Sequence, residues 1–238
     1  MTRRILSIVS ALLLPLGTLA QEVGGYGFLD IPVSARLSAM GGSVISISES
    51  ESSLTQHNPS LLGSDMHRQV SLSYLNWLSD IHLANVSYTH RFLSEGAWQA
   101  GVRYVSYGEF EGYDEWGVST GSFSAHDVAF TLSVGHPLTE HWRIGGSVRA
   151  IGSKYESESA FALGVDAGLN FYNNETGRSW SLSVTNLGGQ LKSLGERHIH
   201  MPTRLLVGYT KELEHLPFAL TLTGLDLLNW DHTNLLDH

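Results

Sequence analysis

The sequence predicts an all-β protein whose antiparallel strands form a transmembrane β-barrel. Three observations carry the prediction. Apolar side chains alternate with small or polar ones in segment after segment, many segments run ten residues or more, and the connections between them differ in length in an ordered way. The stretch "FALGVDAGLNFY", residues 161–172, shows the alternation at its clearest. Phe161, Leu163, Val165, Ala167, Leu169 and Phe171 share one face of a strand, while Ala162, Gly164, Asp166, Gly168 and Asn170 share the other. This run is about twice the usual strand length of roughly 5–6 residues.

Taken in order, the chain opens with "MTRRILSIVSALLLPLGTLAQ". Arg3 and Arg4 precede an apolar stretch from Ile5 to Leu16 and small residues around Ala20, the three-part layout of a secretory leader over residues 1–20. The apolar run is shorter than the ~20 residues a spanning helix needs. Residues 21–68 read as an N-terminal plug or periplasmic segment, and residues 69–238 as the barrel. Strands are expected over 69–77, 81–91, 97–107, 125–137, 142–153, 160–172, 179–187, 203–212 and 217–228. Short connections are expected at 93–96, 138–141, 173–178 and 213–216. Long loops are expected at 108–124 and 188–202, with 154–159 between them in length and 78–80 a short exception.

Composition narrows the class. The chain has no cysteine, which removes a lipoprotein anchor, a thiolate metal site and disulfides together. Charged residues make up 16%, against ~25% in an ordinary soluble domain. A net charge of −9 argues against nucleic acid or an anionic surface as the main partner.

Alternation alone does not say which face is inside, since a soluble sandwich needs the same pattern. Strand length favours a barrel, because a tilted strand crosses the hydrocarbon layer in roughly 9–11 residues. Aromatics gather beside the short connections at Phe92, Trp98, Trp142, Phe171, Tyr172, Trp180 and Phe218, as in an interfacial girdle. In that arrangement Arg143, Arg149, Asp166 and Asn170 face the lumen, because an arginine on the lipid side costs roughly 2–4 kcal/mol near the midplane.

No catalytic constellation stands out. His198 and His200 in "HIH" share one side of an extended segment, but two ligands make a weak metal site. Glu109 with Glu111 and Asp114 with Glu115 read as a solvated acidic loop. "GGQLKSLG" lacks the Lys-Ser/Thr and the strand–loop–helix context of a phosphate cradle. No catalytic residue, cofactor or metal is expected.

The segment "SARLSAMGGSVISISESESSLTQHNPSLL", residues 34–62, resembles the N-terminal box of the PorV and PorQ proteins and, more loosely, of FadL-like outer-membrane barrels. Gly41, Gly42, Asn58 and Pro59 form the matching plug motif. "VSLSYLNWLSDI", "YVSYGEFEGYDEWGVSTGSFSAHDVAF", "TNLGGQLK" and "LPFALTLTGLDLLNWD" resemble PorQ-like proteins in particular. The resemblance implies a fourteen-stranded barrel in the outer membrane of a Gram-negative, Bacteroidetes-like bacterium. Since about nine strands are read here, it also implies a chain incomplete at its C-terminus, as a fragment or truncated gene model. It further implies a non-enzymatic part of the type IX secretion attachment complex, in contact with outer-membrane lipid and a PorZ-like surface protein, and working with PorU and PorV. Within the loop expected at 108–124, Phe110, Tyr113, Asp114, Glu115 and Trp116 are the candidate partner-binding residues. The alternatives are a FadL-like channel for small hydrophobic compounds, with a movable plug near residues 43–47, and a soluble secreted binding module.

Overall fold

A computed structural model of the chain describes residues 25–92, 95–193, 199, 201–214 and 216–227. The leader at 1–20 and both His198 and His200 lie outside the described residues. Nine strands follow a mostly irregular N-terminal segment: β1 (Gln69–Asn76), β2 (His82–Phe92), β3 (Gly96–Tyr113), β4 (Ser119–Pro137), β5 (Trp142–Tyr155), β6 (Glu158–Asn173), β7 (Arg178–Lys192), β8 (Arg204–Glu212) and β9 (Ala219–Gly224). They form one antiparallel sheet in which neighbours in sequence are neighbours in space. All nine expected strands are present. A closed barrel is not observed: among the described residues β1 and β9 are the two edges of the sheet, and no ladder joins them.

Two expected loops are strand in part. Residues 108–124 were expected to be irregular, but β3 and β4 run on through them with Glu109↔Ser124, Phe110↔Phe123, Glu111↔Ser122 and Gly112↔Gly121 in register. Glycines and glutamates, poor strand formers alone, are held there by the partner strand. Likewise β7 continues to Lys192, beyond the end expected at Leu187.

The faces of the sheet differ sharply. Leu72, Phe130 and Val148 are 78%, 57% and 56% exposed, and Phe161, Leu163 and Val165 point the same way. The opposite face is covered by residues 25–68. Arg103 on β3 donates to the carbonyls of Phe28 (2.7 Å) and Leu29 (3.0 Å), while Arg204 on β8 meets Asp30 at 3.1 Å. A flat sheet would hold these strands, five apart, roughly 24 Å from each other. The sheet therefore curls around the segment, with its apolar face outward.

The segment has its own local order. Helix α1 (Ala35–Ala39) begins at Ser34, whose hydroxyl accepts from the Leu37 amide at 3.1 Å. It stops at Gly41 and Gly42, both at positive φ, where the Gly42 amide returns to the Leu37 carbonyl at 2.8 Å. Leu37, Val44 and Leu54 then form a small core of their own. A second cluster joins Tyr26, Phe28 and Leu29 to Leu83, Val105, Ala129, Ile151 and Ala162 of β2–β6.

Contact between segment and sheet is closest along one row. Gly135, Gly145 and Gly168 are direct cross-strand partners on β4, β5 and β6, and the Asn58–Pro59 turn lies on them. A Cβ on Gly135 would fall 2.6 Å from the Leu62 carbonyl oxygen, and those on Gly145 and Gly168 would strike Pro59 and Asn58 more closely still. Gly145→Val is expected to destabilise the fold by at least ~1–3 kcal/mol, the usual cost of overpacking. Gly152→Ala on the same strand, where an added Cβ meets nothing within 4 Å, should stay within about 0.5 kcal/mol of wild type. Urea unfolding of the purified chain, followed by tryptophan fluorescence, checks both values.

Candidate functional site

Three groups of residues hold chemistry: the turn at the centre of the inward face, a buried charge network beside it, and a ribbon that projects from one end of the sheet. At the turn, Asn58 precedes a 3-10 turn, Pro59–Leu61, with proline at its first position, where the missing N–H is not needed. The Asn58 carbonyl oxygen accepts from the Ser60 amide (3.1 Å) and hydroxyl (2.6 Å), and its amide donates to the Ile45 carbonyl at 2.8 Å. The neighbouring His57 ring hydrogen-bonds the backbone of Gly42. Thus the structure brings Gly41–Gly42 and Asn58–Pro59 together, with His57 as the link between them. Ser183 of β7 donates to the His57 carbonyl and fixes the whole turn to the sheet.

His57 is fully buried, and burial together with the charges of Arg103, Arg149 and Arg204 pushes its pKa down to about 3. The ring is neutral in the folded protein across ordinary pH.

The expected inward residues Arg143, Arg149, Asp166 and Asn170 all lie on the covered face, but they do not form one cluster. Arg149 and Asp166 make a buried ion pair at 3.1 Å. Ser147 donates to the same carboxylate, and the Asn186 amide reaches its other oxygen at 2.7 Å. Asn186 has a φ of +57°, and the β6–β7 ladder is offset between Val165 and Ala167 opposite it. The carboxylate therefore sits in a β-bulge whose extra amide it satisfies. Arg149 also donates to Asn186 and, at 3.2 Å, to Thr131. Asn170 stands apart, donating to the hydroxyls of Ser179 and Ser181 at 2.9 Å. Arg143 donates to Ser48 at 3.2 Å.

Several inward groups were not singled out from the sequence. Asp127 is completely buried and accepts from the hydroxyls of Tyr107 (2.6 Å) and Tyr155 (2.9 Å) on one oxygen. Arg103, described above, and His57 complete the set. Asp127 and Arg103 each sit on the small or polar side of an alternating strand, which was the available signal; His57, in the irregular segment, carried no such cue.

The partner-binding candidates lie on the ribbon formed by the outer ends of β3 and β4. It begins after an offset in the ladder at Gly108, and its tip is a tight turn in which the Asp114 carboxylate accepts from the amides of Trp116 (2.9 Å) and Val118 (2.8 Å). Asp114 is therefore committed to the turn, whereas Trp116 is 83% exposed. Phe110 and Phe123 stack at 5.5 Å on one side, next to Gly112 and Gly121. Glu109, Glu111 and Tyr113 occupy the other, where the Tyr113 hydroxyl donates to Glu111. Glu115 is exposed at the tip.

Among the described residues no group of three or more histidine or acidic side chains is placed to hold a metal ion, and no helix is long and apolar enough to cross a membrane. The chain matches no protein-family model and no curated protein.

Removing the Asp166 carboxylate leaves Arg149 charged and buried. Asp166→Ala is expected to cost about 3–5 kcal/mol. The double variant Arg149→Met/Asp166→Ala should lose clearly less than the sum of the single losses, in a urea double-mutant cycle.

His57 supplies a pH prediction. Its folded pKa is depressed, so the unfolded chain takes up a proton near pH 6.5 that the folded chain refuses. The contribution to stability is full above that value and falls by up to about 1.4 kcal/mol per pH unit between pH ~6 and ~3. Unfolding midpoints measured across this range should decline less steeply for His57→Gln than for wild type.

Proposed function

We propose that the chain forms the strands of an outer-membrane β-barrel, a non-enzymatic component of the type IX secretion attachment complex that holds a PorZ-like partner at the cell surface. One observation carries the membrane part: the sheet buries its small and charged side chains and leaves most of its large apolar ones bare, Leu83, Val105, Ile151 and Leu206 being the buried exceptions. In water such an outward face is a liability, while in lipid it is the required surface. From Phe161 to Phe171 the outward run of β6 covers ten residue steps, about 34 Å, which at a tilt near 45° spans ~24 Å of membrane depth. The known apolar band is ~25 Å tall.

The aromatic girdle supports the same reading. At the end with the short connections, Trp142 packs on Phe171 (5.1 Å), Trp180 on Tyr209 (4.2 Å) and Trp98 on Tyr88 (5.9 Å). Rings with polar tips collect where hydrocarbon meets headgroups. Lipid also demands that every backbone group be paired, so this reading requires the edges of β1 and β9 to be hydrogen-bonded in the membrane, to each other or through further strands.

Partner holding rests on the sequence resemblance and on the ribbon, which lies at the end opposite the girdle. It presents an exposed tryptophan and an aromatic pair beside glutamates, a composition suited to a protein surface. PorU-like and PorV-like proteins are further expected contacts of such a complex. A FadL-like channel would need a greasy interior and a loose plug. Instead, Ile45 and Ser46 are fully buried, and Ser46 bonds Thr210 at 2.7 Å. The largest apolar depression, about 730 Å³ and lined by Val86, Phe130, Leu132, Val148 and Leu163, opens on the outward face.

Fractionation of the native host tests localisation: the protein should be recovered in the outer membrane, and recovery as free periplasmic protein would refute the proposal. The combined change Phe110→Ser, Tyr113→Ser and Trp116→Ser should leave it in the membrane while reducing surface retention of the PorZ-like protein at least about tenfold, as expected for the loss of aromatic anchors. Unchanged retention eliminates the ribbon as the anchor.

A further inference from the structure

Between the N-terminal segment and strands β2–β5 lies a pocket of about 60 Å³, whose wall includes Arg103, Arg149, Gln99, Ser87, Thr131 and Ser133. Its polar wall is dominated by donors. The carboxylates nearby are already engaged: Asp166 with Arg149, and Asp30 with Arg204. Asp127, the other fully buried carboxylate, is held by two tyrosine hydroxyls and does not line the pocket.

Arg103 is different. Its side chain is buried, it donates through Nη1 to two backbone carbonyls, and among the described residues no carboxylate lies within the 4.0 Å of an ion pair. Carbonyl oxygens satisfy N–H groups but carry no unit charge, and Asp30, already paired with Arg204, acts on Arg103 only from beyond ion-pair distance, so the buried cation is incompletely compensated. The remaining guanidinium donors have no protein acceptor among the described residues. A guanidinium with open donors beside serine and threonine hydroxyls, in a space lined by no carboxylate and with room for about two waters, is the environment of a small anion.

We propose that this pocket is a binding site for a small inorganic anion of halide size, held by Arg103 and the neighbouring hydroxyls at the boundary between the N-terminal segment and the sheet. The volume excludes a lipid headgroup, a sugar or a nucleotide. Because the anion would touch groups from both the segment and the strands, it cements the two together. The inference does not depend on the membrane or secretion reading.

The test uses crystals of the purified full chain grown or soaked in sodium bromide. An anomalous bromide peak within hydrogen-bonding distance of the Arg103 guanidinium is expected, and the peak should vanish in Arg103→Met. In parallel, chloride or bromide should raise the urea midpoint of the wild-type chain relative to gluconate at equal ionic strength, since a ligand of the folded state stabilises it. If Arg103→Met fails to fold, the wild-type peak alone decides the question. Waters in the pocket with no anomalous signal, together with midpoints that do not distinguish bromide from gluconate, overturn the proposal.

Discussion

The approach of one turn to one row of glycines constrains the rest of this molecule. The Asn58–Pro59 turn can rest on the sheet only where Gly135, Gly145 and Gly168 stand side by side, and cross-strand register puts them there. Once that row faces inward, the two-residue period of each strand assigns every other side chain to a face. Serine, threonine, asparagine and glycine fill most inward positions because the covering segment lies close, and most bulky residues are left to the outward side, with Leu83, Val105 and Ile151 packed inward against Tyr26, Phe28 and Leu29. A one-residue slip of β5 would exchange Gly145 for Ile144 or Gly146 and turn its arginines outward. The register is therefore fixed twice, by shape and by charge.

Polar contacts hold the segment in place alongside the apolar clusters it shares with the sheet. Its irregular backbone exposes carbonyls and amides that no ladder satisfies, and the sheet supplies the partners: Arg103 to Phe28 and Leu29, Ser183 to His57, Thr210 to Ser46. Within the segment, Gln56 does the same for the Leu29 and Ile31 carbonyls. Each bond is worth about 1 kcal/mol by itself, but breaking one leaves a buried group unpaired, and that costs more. Withdrawing the segment would expose all of these at once. Such an interior behaves as a packed filling rather than a gate.

The alternation made the strands and their faces legible from the sequence, down to the inward placement of Arg143, Arg149, Asp166 and Asn170. It failed where two rules compete. Residues 108–124 combine glutamates and glycines, which oppose a strand locally, with a register that only the partner strand supplies; pairing won. At Thr185 and Asn186 the period breaks because both residues are buried around the bulge, a feature that depends on a carboxylate twenty positions earlier. His57 and Arg103 were legible as residues but not as sites, since their roles come from carbonyls and charges brought together from distant parts of the chain. Seven aromatics beside the short connections were legible from the sequence, whereas Tyr88 and Tyr209 emerged only as the rings packed on Trp98 and Trp180.

The ribbon and the girdle mark opposite ends of the same strands, and that polarity bears on how the proposed barrel would sit. The connections at the girdle end are brief, at 138–141, 174–177 and 213–218; the other end has brief links at 77–81 and 156–157 but also carries the ribbon and the connection at 193–203. Outer-membrane barrels keep their short turns on the periplasmic side. In the proposed barrel, with the girdle at the periplasmic interface, the outward apolar run would carry β3 and β4 across the bilayer, and their paired ends would emerge beyond the opposite surface. There the stack of Phe110 on Phe123 and the bare indole of Trp116 stand outside hydrocarbon, flanked by Glu109, Glu111 and Glu115. In that proposed placement neither lipid nor the interior would cover them, which is the physical ground for proposing a protein partner at the ribbon.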